Sequence, residues 1–393
     1  MSARARLVVA GIVVLFGVVC ATQSVDFPVY HRIAVQLLNG NYELYPTTVY
    51  TAGPSVPHGF RYAPAIAFLF LPFGLLPLSV AAFLFYVLKV AALLYVGGVV
   101  ARYAGVPALD PTLMAAALLA VAGYVVEEFR YGNFQFFAVA LMVYAFDAAE
   151  SGVVVSPAAA LGVAIAAKLT PAVLVPYFAL RRLFAVCAAT AAVLAILAVL
   201  PIPIVGYDMN RHLLGGFARY AVEKIGEGDN YSLLGVLLRY VGPAYGPQTA
   251  TVIWLVTLVV GGSIVAFVLW GETSSRTVRL LEFSIVLTAM LLASPHTQRR
   301  YFVTLFVPVT ALIAARATLQ RLDQRVARLA ITVTALIGTV FPLVFAGRRL
   351  AAAYEAVSPY FFGTLALFVA LVFITTRLKA ECGTQNHSSP SEP

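Results

Sequence analysis

The feature that most constrains this chain is a succession of apolar runs that recurs from residue 7 to residue 376. A membrane-spanning helix needs ~20 mostly apolar residues, and fewer when it lies among other helices. Hydrophobic residues make up 61% of the 393 residues and charged residues only 11%, whereas a soluble domain carries roughly a quarter. The runs therefore predict an all-α polytopic membrane protein with about twelve transmembrane helices. The predicted spans are Leu7–Ala21, Val80–Val100, Pro111–Val126, Phe134–Phe146, Val153–Ala167, Pro171–Leu180, Leu183–Leu200, Ala250–Trp270, Leu280–Ala293, Tyr301–Ala315, Leu329–Ala346 and Pro359–Thr376.

One further run, Ala63–Leu78, is interrupted by prolines and a glycine, so charge decides its place. We take it to lie at the outer face, with the N-terminus inside, because the positive-inside rule then accounts for the main basic clusters. About half of the basic residues still fall outside, many of them in a long loop where the rule has little force. This choice predicts a multi-pass plasma-membrane protein with both termini cytoplasmic. The basic residues that it places inside are Arg102, Arg181, Arg182, Arg276, Arg279, those from Arg316 to Arg328, Arg377 and Lys379.

The chain is predicted to form a single integral-membrane domain over residues 1–379, with long outer loops at 23–79 and 201–249. Residues 380–393 are polar, and we expect a disordered cytoplasmic tail there. The net charge of +9 is spread among the spans without a continuous basic stripe, which excludes nucleic acid as a partner. The three cysteines form no CxxC pair, so neither a disulfide framework nor a zinc site is indicated.

Asp26 is the first candidate for chemistry, because it directly follows the first apolar run. A carboxylate at the lipid margin is costly and is a functional candidate by default. The alternative is that Asp26 caps the N-terminus of a juxtamembrane helix, for which aspartate is well suited.

Polar groups from several other helix ends fall on the same outer side and are predicted to share one cleft with Asp26. The cleft would hold one carboxylate and an excess of positive charge. Arginine and lysine hold phosphate oxygens, and aspartate removes a proton, so this composition fits an anionic lipid phosphate and a neutral hydroxyl acceptor. The candidate donor-phosphate and substrate-binding residues are His58, Arg61, Tyr62, Asn133, Gln135, Lys168, Asn230, His296, Arg299 and Arg300.

Simpler alternatives exist for these residues. Lys168 is also placed to snorkel to the interface, and Asn133 and Gln135 to satisfy backbone groups between two helices. A histidine near an interface is more often solvated or hydrogen-bonded than a ligand or a base. The adjacent arginines 299 and 300 violate the positive-inside rule, so a different topology would also explain them.

Lys89 stands in the middle of a predicted span. Three roles are open to it: snorkelling, pairing with a carboxylate such as Glu282, or lining a groove for the lipid phosphate. The sequence does not choose among them.

An ordered set of short motifs runs from about residue 24 to residue 316. The motifs are Asp26-Phe-Pro-Val-Tyr-His31, Leu38-Asn-Gly40, Tyr45-Pro46, Arg61-Tyr-Ala-Pro64, Leu71-Pro-Phe-Gly-Leu-Leu-Pro77, Gly132-Asn-Phe-Gln135, Ala167-Lys-Leu-Thr-Pro171, Arg181-Arg182, Asn230-Tyr-Ser-Leu233, Arg239 and Ser294-Pro-His296. As a set they resemble glycosyltransferase family 87 of the GT-C fold, which includes the polyprenyl-phosphate-mannose-dependent mannosyltransferases of phosphatidylinositol mannoside synthesis.

The resemblance implies a GT-C-type fold whose long first outer loop carries interfacial helices, here Ile33–Leu38 and Ala63–Leu78. It implies transfer of a hexose, with mannose as the family-level choice, from a polyprenyl-phosphate donor to a hydroxyl of a lipid or glycan acceptor, with inversion, at the extracytoplasmic face. Asp26 would be the general base. Lys168, Arg61, Arg299 and Arg300 would stabilise the leaving phosphate, so that no metal or other cofactor is expected.

Two other function classes remain open. A lipid-linked-saccharide flippase or transporter would use Asp26 and Lys168 as coupling or substrate-binding charges, although such proteins often show internal repeats and none is visible here. A lipid-linked-saccharide ligase would use the outer arginines and histidines without a carboxylate base.

Overall fold

The computed structural model of the protein describes residues 3–45, 60–223, 229–271, 273, 275–344 and 347–387. All regular secondary structure in these ranges is helical, which confirms the predicted all-α class. The α-helices are α1 Ala3–Gln23, α2 Phe27–Leu38, α3 Pro64–Ala67, α4 Leu71–Gly74, α5 Leu78–Tyr103, α6 Pro111–Ala120, α7 Ala122–Tyr131, α8 Gln135–Glu150, α9 Val155–Ala167, α10 Leu174–Leu180, α11 Phe184–Val199, α12 Ile202–Val205, α13 Tyr207–Glu223, α14 Leu233–Tyr240, α15 Gly242–Tyr245, α16 Pro247–Leu269, α17 Arg276–Ala293, α18 Phe306–Ala315, α19 Arg321–Ala335, α20 Phe341–Val344, α21 Arg348–Ala356 and α22 Pro359–His387. Short 3₁₀ segments are Phe68–Phe70, Thr170–Val173, Arg299–Leu305 and Arg316–Thr318, and Leu336–Val340 is π-helical.

The predicted spans coincide with helices or helix pairs, and some of these are suited to cross a membrane. Within the described residues, 5 helices are long and apolar enough to do so, or up to 7 if each bent pair is one span. The five are Leu78–Tyr103, Phe184–Val205, Pro247–Leu269, Arg299–Thr318 and Pro359–Glu381. The bent pairs are Ala10–Gln23 with Phe27–Leu38, at 62°, and Pro111–Ala120 with Ala122–Tyr131, at 80°. The chain is thus a polytopic membrane protein, and the figure of twelve spans stays a prediction.

The chain divides into two compact units. Unit 1 consists of Met1–Leu93, Val126–Pro171 and Ala185–Lys224. Its centre is an aromatic cluster built on α2, whose buried face carries Phe27 and Tyr30. The Tyr30 ring stacks on Phe70 with centroids 4.7 Å apart, and Phe27 lies 4.7 Å from Phe85 on α5. Aromatic pairs at these separations add to the free energy gained by burial, so α2 is firmly seated in unit 1.

The run Ala63–Leu78 forms short helical pieces in unit 1 rather than one long helix. The apolar helical stretch is Pro64–Gly74, which extends ~16 Å at ~1.5 Å per residue. The hydrocarbon core is ~30 Å thick, so this stretch is too short to cross it alone. The main chain of this segment is tied to α9 where Ala63 N–H donates to Ala166 O at 3.0 Å.

Unit 2 consists of Leu94–Val125, Ala172–Phe184 and Ile225–Pro393. Ion pairs fix the C-terminal part of α22 inside it. Glu282 on α17 is fully buried and binds Lys379 Nζ at 2.6 Å as well as the Arg181 guanidinium. Asp323 on α19, also fully buried, pairs with Arg377 Nε at 3.0 Å. Two cations of α22 therefore bind carboxylates on two neighbouring helices.

Two segments differ from the expectation of loop or disorder. The stretch 201–249, predicted as a long outer loop, contains α12, α13, α14 and α15 in its described part. The tail predicted to be disordered from residue 380 is helical as far as His387, because α22 continues through it. Polar residues do not by themselves end a helix, and Pro390 is the first proline after this stretch.

Candidate active site

Asp26 lies in unit 1 at the bend between α1 and α2, with only 8% of its surface exposed. It occupies the N-cap position of α2, but its side chain makes no capping hydrogen bond. Its main-chain oxygen accepts from Val29 N at 3.0 Å, which begins the helix without help from the carboxylate. The carboxylate is therefore not consumed by the helix N-terminus, and the capping alternative does not account for it.

The turn that follows α7 holds the main chain around Asp26. Tyr131 O accepts from both Val25 N, at 3.1 Å, and Asp26 N, at 2.8 Å. Gly132 then adopts φ +68, in the left-handed region that favours glycine. A Cβ atom at Gly132 would lie 2.8 Å from Phe27 Cβ, so the turn approaches the start of α2 more closely than any other residue would allow.

Asn133 connects the carboxylate to a lysine. Its Nδ2 donates to Asp26 Oδ2 at 2.6 Å, and its Oδ1 accepts from Lys168 Nζ at 3.2 Å. Gln135 N also donates to Asn133 Oδ1, at 2.9 Å, which fixes the amide plane. An ionised carboxylate only accepts and an ammonium only donates, so this orientation of the amide is the one that satisfies both. The site therefore holds an acid and a cation on opposite ends of one buried amide.

Lys168 reaches Asn133 from the end of α9. The lysine is the C-cap residue of that helix and has an extended backbone, φ −149 and ψ 128. Its main-chain N–H still bonds Ala164 O at 2.8 Å, so the change of direction comes directly after the last turn. Instead of snorkelling along the helix, the side chain contacts the carboxylate's partner. Gln135, only 2% exposed, lies in the same cluster as the first residue of α8.

Arg61 and Tyr62 lie in unit 1 but differ in setting. Arg61 is half-buried, whereas Tyr62 is 3% exposed and forms part of the aromatic cluster. The Tyr62 phenol is 2.5 Å from the Tyr30 phenol, and its main-chain oxygen accepts from the Tyr45 hydroxyl. Burial raises the pKa of the Tyr45 phenol well above its usual value, so that hydroxyl stays a donor. His58, the remaining candidate of this loop, lies outside the described residues.

Lys89, also in unit 1, pairs with Glu128. The ammonium lies 3.0 Å from both carboxylate oxygens, and neither side chain has any exposed surface. The suggestion that Lys89 pairs with Glu282 is therefore wrong: Glu282 is occupied by Lys379 and Arg181 of unit 2. Sequence reasoning missed Glu128 altogether. The available signal was a carboxylate in an apolar helix shortly before the turn that carries Asn133.

The remaining candidates belong to unit 2. Asn230 is 1% exposed, and its side chain joins two loops: Nδ2 donates to Pro295 O at 2.8 Å, and Oδ1 accepts from Thr297 N at 3.0 Å. His296 stands between these contacts, half-buried, with its main-chain N–H bonded to Ser294 Oγ at 3.2 Å. Asn230 thus shapes the loop that presents His296.

Two arginines follow in the same part of unit 2. Arg299 Nη1 lies 3.6 Å from Glu355 Oε1, and its guanidinium lies 5.5 Å from the centre of the Tyr360 ring. Arg300 lies against the ring of the neighbouring Tyr301, at 6.0 Å. Both are half-buried, so their guanidinium groups are placed by their surroundings rather than extended into solvent.

The structure therefore assembles Asp26, Asn133, Gln135 and Lys168 in unit 1, with Arg61 and Tyr62 on the adjoining loop. The unit 2 candidates form a group of their own, and a shared cleft stays a prediction. Among the residues that the structure describes, no group of three or more His, Cys, Asp or Glu side chains is placed to hold a metal ion.

Residues 60–295 match glycosyltransferase family 87. The chain is also 30% identical, over 313 residues, to the polyprenol-phosphate-mannose-dependent alpha-(1-2)-phosphatidylinositol pentamannoside mannosyltransferase of Mycolicibacterium smegmatis (strain ATCC 700084 / mc(2)155). That similarity covers 74% of this chain and 72% of the relative. The chain belongs to glycosyltransferase family 87. It is a membrane glycosyltransferase.

The family 87 match contains the buried pair and most of the site. Asn133, Lys168 and Asn230 lie within the matched range, as do Lys89 and Glu128. Asp26 precedes the range, and the two arginines at 299 and 300 follow it. Asp26 is linked to the matched range through its hydrogen bond to Asn133, a residue inside the match.

Proposed function

We propose that this glycosyltransferase moves mannose from polyprenyl-phosphate mannose to a hydroxyl of a lipid or glycan acceptor, at the extracytoplasmic face and with inversion. The observation that carries the proposal is the Asp26–Asn133–Lys168 arrangement. It offers a carboxylate for a proton and an ammonium for a phosphate within one hydrogen-bonded group. The mannose donor is suggested by the name of the mycobacterial relative.

In the proposed reaction the acceptor oxygen attacks the anomeric carbon of mannose. The Asp26 carboxylate takes the hydroxyl proton as the new carbon–oxygen bond forms. The bond from the anomeric carbon to the phosphate oxygen breaks, and polyprenyl phosphate leaves with the electron pair. Attack opposite the leaving group inverts the anomeric centre. The proton ends on Asp26 and the negative charge on the phosphate, so the step is balanced without a further reactant.

Cations are proposed to stabilise the phosphate as it leaves. Lys168 is the best placed of these in unit 1 because its Nζ lies beside Asn133. Arg61 is the second proposed cation, two residues before Ala63, whose N–H bonds Ala166 O near the end of α9. Positive charge positioned in a site of low dielectric stabilises developing negative charge strongly. We assign Tyr62 and Gln135 to the walls of the donor site and keep His58, outside the described residues, as a candidate for donor binding. We propose that the reaction requires no metal.

The unit 2 candidates are proposed to bind the donor as well. Asn230 would act through the loop that carries His296, while Arg299 and Arg300 would offer guanidinium groups to phosphate. Arginine binds phosphate in a planar, bidentate geometry, which lysine does not. An arginine to lysine change at either position therefore tests whether the contact is geometric or only electrostatic.

The orientation in the membrane is part of the proposal. We infer a GT-C-type fold with both termini cytoplasmic and twelve crossings, in the plasma membrane. Tags inserted after Asp147 and after Lys168 test this, because the proposed topology places the two positions on opposite sides of the membrane. Equal accessibility of both tags would contradict it.

The decisive experiment compares the wild type with Asp26→Asn. Purified protein is incubated with labelled polyprenyl-phosphate mannose and a crude lipid extract, and with glucose and arabinose donors in parallel. Loss of the base is expected to lower the transfer rate roughly 10²- to 10⁴-fold, which is about 3–5 kcal/mol of transition-state stabilisation. The matched control is Asp208→Asn, since Asp208 is exposed at the start of α13 and is expected to leave the rate unchanged.

Three outcomes separate the possibilities. A wild-type rate in Asp26→Asn would favour a ligase or flippase and refute the assigned base. Absence of any transferred label from the wild type would refute the mannosyl donor. The same assay with EDTA tests the metal: the rate is expected to be unchanged, and recovery only on adding a divalent cation would contradict that expectation.

A further inference from the structure

Lys89 and Glu128 form an ion pair that is fully buried in unit 1 and has no part in the proposed proton transfer. In addition to the two carboxylate contacts, Lys89 Nζ donates to the main-chain oxygen of Glu128 at 3.2 Å. The rings of Phe85 and Phe129 lie 5.3 and 5.2 Å from the ammonium. Removing both charges from water costs about as much free energy as their attraction returns, so such a pair is weak evidence for stability. The hydrogen bonds that Glu128 accepts from the main chain indicate a different role for the pair.

Glu128 holds two main-chain groups of the turn that follows it. Its Oε1 accepts from Phe136 N at 3.1 Å, and its main-chain oxygen accepts from Asn133 N at 3.4 Å. We call residues 128–136 the turn segment. Glu128, its first residue, binds two main-chain N–H groups further along the same segment. The Lys89 ammonium contacts both carboxylate oxygens of Glu128 and so fixes the plane of the carboxylate, with Oε1 directed towards Phe136 N–H.

The turn segment also carries the groups that hold Asp26. Tyr131 O binds the main chain at Val25 and Asp26, and the Asn133 amide binds the carboxylate. A displacement of the turn segment would move both contacts together. A shift of ~1 Å in a catalytic group costs roughly 10²-fold in rate, so the geometry of this segment matters to catalysis.

We propose that Lys89 and Glu128 are positioning residues of the transferase: the pair fixes the turn segment and, through it, the orientation of the Asp26 carboxylate. Both side chains are fully buried, so the proposed role is to position other groups rather than to bind substrate. The inference rests on the proposed function, because that function makes Asp26 the base.

Two double variants test the proposal without leaving a buried charge. They are Lys89→Met/Glu128→Gln and Lys89→Met/Glu128→Met. Glutamine and methionine are similar in length, but only glutamine accepts a hydrogen bond from Phe136 N–H. The glutamine variant keeps the acceptor for Phe136 N–H but lacks the ammonium that orients it, so its kcat is expected to fall by roughly 3- to 10-fold. The methionine variant is expected to lose roughly 10- to 100-fold in kcat while its KM for the donor changes less than about twofold.

The wild type and Asp26→Asn are assayed alongside, with labelled polyprenyl-phosphate mannose and lipid extract. No transfer by the wild type, or full activity in Asp26→Asn, means that the proposed function fails. An active wild type and an inactive Asp26→Asn with equal kcat in the two double variants overturns the positioning role alone. A purely structural pair would lower the yield of folded protein and leave kcat per folded molecule the same in both variants.

A third variant covers the case in which the methionine double variant does not fold, as judged by size-exclusion chromatography. Glu128→Asp keeps the charge pair with Lys89 but shortens the side chain by one methylene, which withdraws the carboxylate from Phe136 N–H. A roughly tenfold lower kcat with unchanged donor KM supports the proposal. A wild-type kcat in Glu128→Asp overturns it.

Discussion

The left-handed turn at Gly132 offers a sharp test of the proposed site, through the substitution Gly132→Ala. Gly132 has φ +68, and an added Cβ would lie 2.8 Å from Phe27 Cβ, 3.2 Å from Ser24 Cβ and 3.3 Å from Phe27 N. Carbon atoms pack at ~3.5–4.0 Å, so the turn and the start of α2 must separate by roughly 1 Å. This separation stretches the bonds from Tyr131 O and Asn133 that hold Asp26.

Gly152 provides a matched control for the backbone cost. It lies in the same unit with φ +80, and nothing lies within 4 Å of its added Cβ. Alanine in the left-handed region costs ~1–2 kcal/mol at either position. Only Gly132→Ala adds an overpacking cost, typically ~1–3 kcal/mol. We therefore expect Gly152→Ala to lower the free energy of unfolding by ~1–2 kcal/mol and Gly132→Ala by ~2–5 kcal/mol.

The two glycine substitutions are expected to differ in kcat as well as in stability. A displacement of ~1 Å at the base predicts a kcat roughly 100-fold below wild type for Gly132→Ala, and Gly152→Ala is expected to keep the wild-type kcat. The assay is steady-state mannosyl transfer per folded molecule, with the folded fraction taken from size-exclusion chromatography and stability from thermal unfolding. If Gly132→Ala matched Gly152→Ala in kcat, the close approach at Gly132 would have no bearing on the base and the reasoning would be refuted.

Two further predictions concern Lys168 and the ion-pair cluster at Glu282. Lys168→Met is expected to lower kcat roughly 100-fold, because a positive charge facing the leaving phosphate is lost. Lys168→Arg is expected to keep more than about a tenth of the wild-type rate. Equal steady-state rates in the methionine and arginine variants would argue against a phosphate role. In unit 2, Glu282→Gln leaves Arg181 and Lys379 without their carboxylate, so the free energy of unfolding is expected to fall by ~3–5 kcal/mol while kcat per folded molecule holds. Thermal unfolding measures the change in stability, and adding Arg181→Met to Glu282→Gln is expected to restore part of the lost stability. An unchanged stability in Glu282→Gln would mean that the cluster does not stabilise the fold.

The main catalytic candidates could be predicted because charges are rare in this chain. With 11% charged residues, those at helix ends need partners or water, and few partners are available. Asp26, Asn133 and Lys168 were predicted on this ground to lie in one cluster, and hydrogen bonds join them in the structure. It could not assign the order of the contacts, since nothing in the sequence says that the amide lies between the two charges.

Several side-chain contacts could not be predicted, for one shared reason. A polar residue at a helix end can face a substrate or tie two loops together, and the two look alike in sequence. Asn230 ties two loops together and Tyr62 packs in the aromatic cluster, and neither contact could be predicted from the sequence. The partner of Lys89 was missed for a related reason. The sequence shows Glu128 shortly before Gly132, but not that the Phe136 N–H beyond the turn bonds its carboxylate, nor that Lys89 packs beside it.

The helices themselves were predictable, because long apolar runs leave the backbone no other way to satisfy its hydrogen bonds in lipid. Their division into two units was not, since it depends on which helices pack together rather than on where each begins and ends. The short helix of residues 202–205 also escaped, because a four-residue piece carries too few residues for a periodic signal.

The amide of Asn133 explains how one site can offer both a base and a cation. Its Nδ2 donates to Asp26 Oδ2 at 2.6 Å and its Oδ1 accepts from Lys168 Nζ at 3.2 Å, so one neutral group positions both side chains. In the proposed reaction the carboxylate serves the acceptor proton and the ammonium serves the leaving phosphate. A displacement of Asn133 would therefore disturb the base and the cation together.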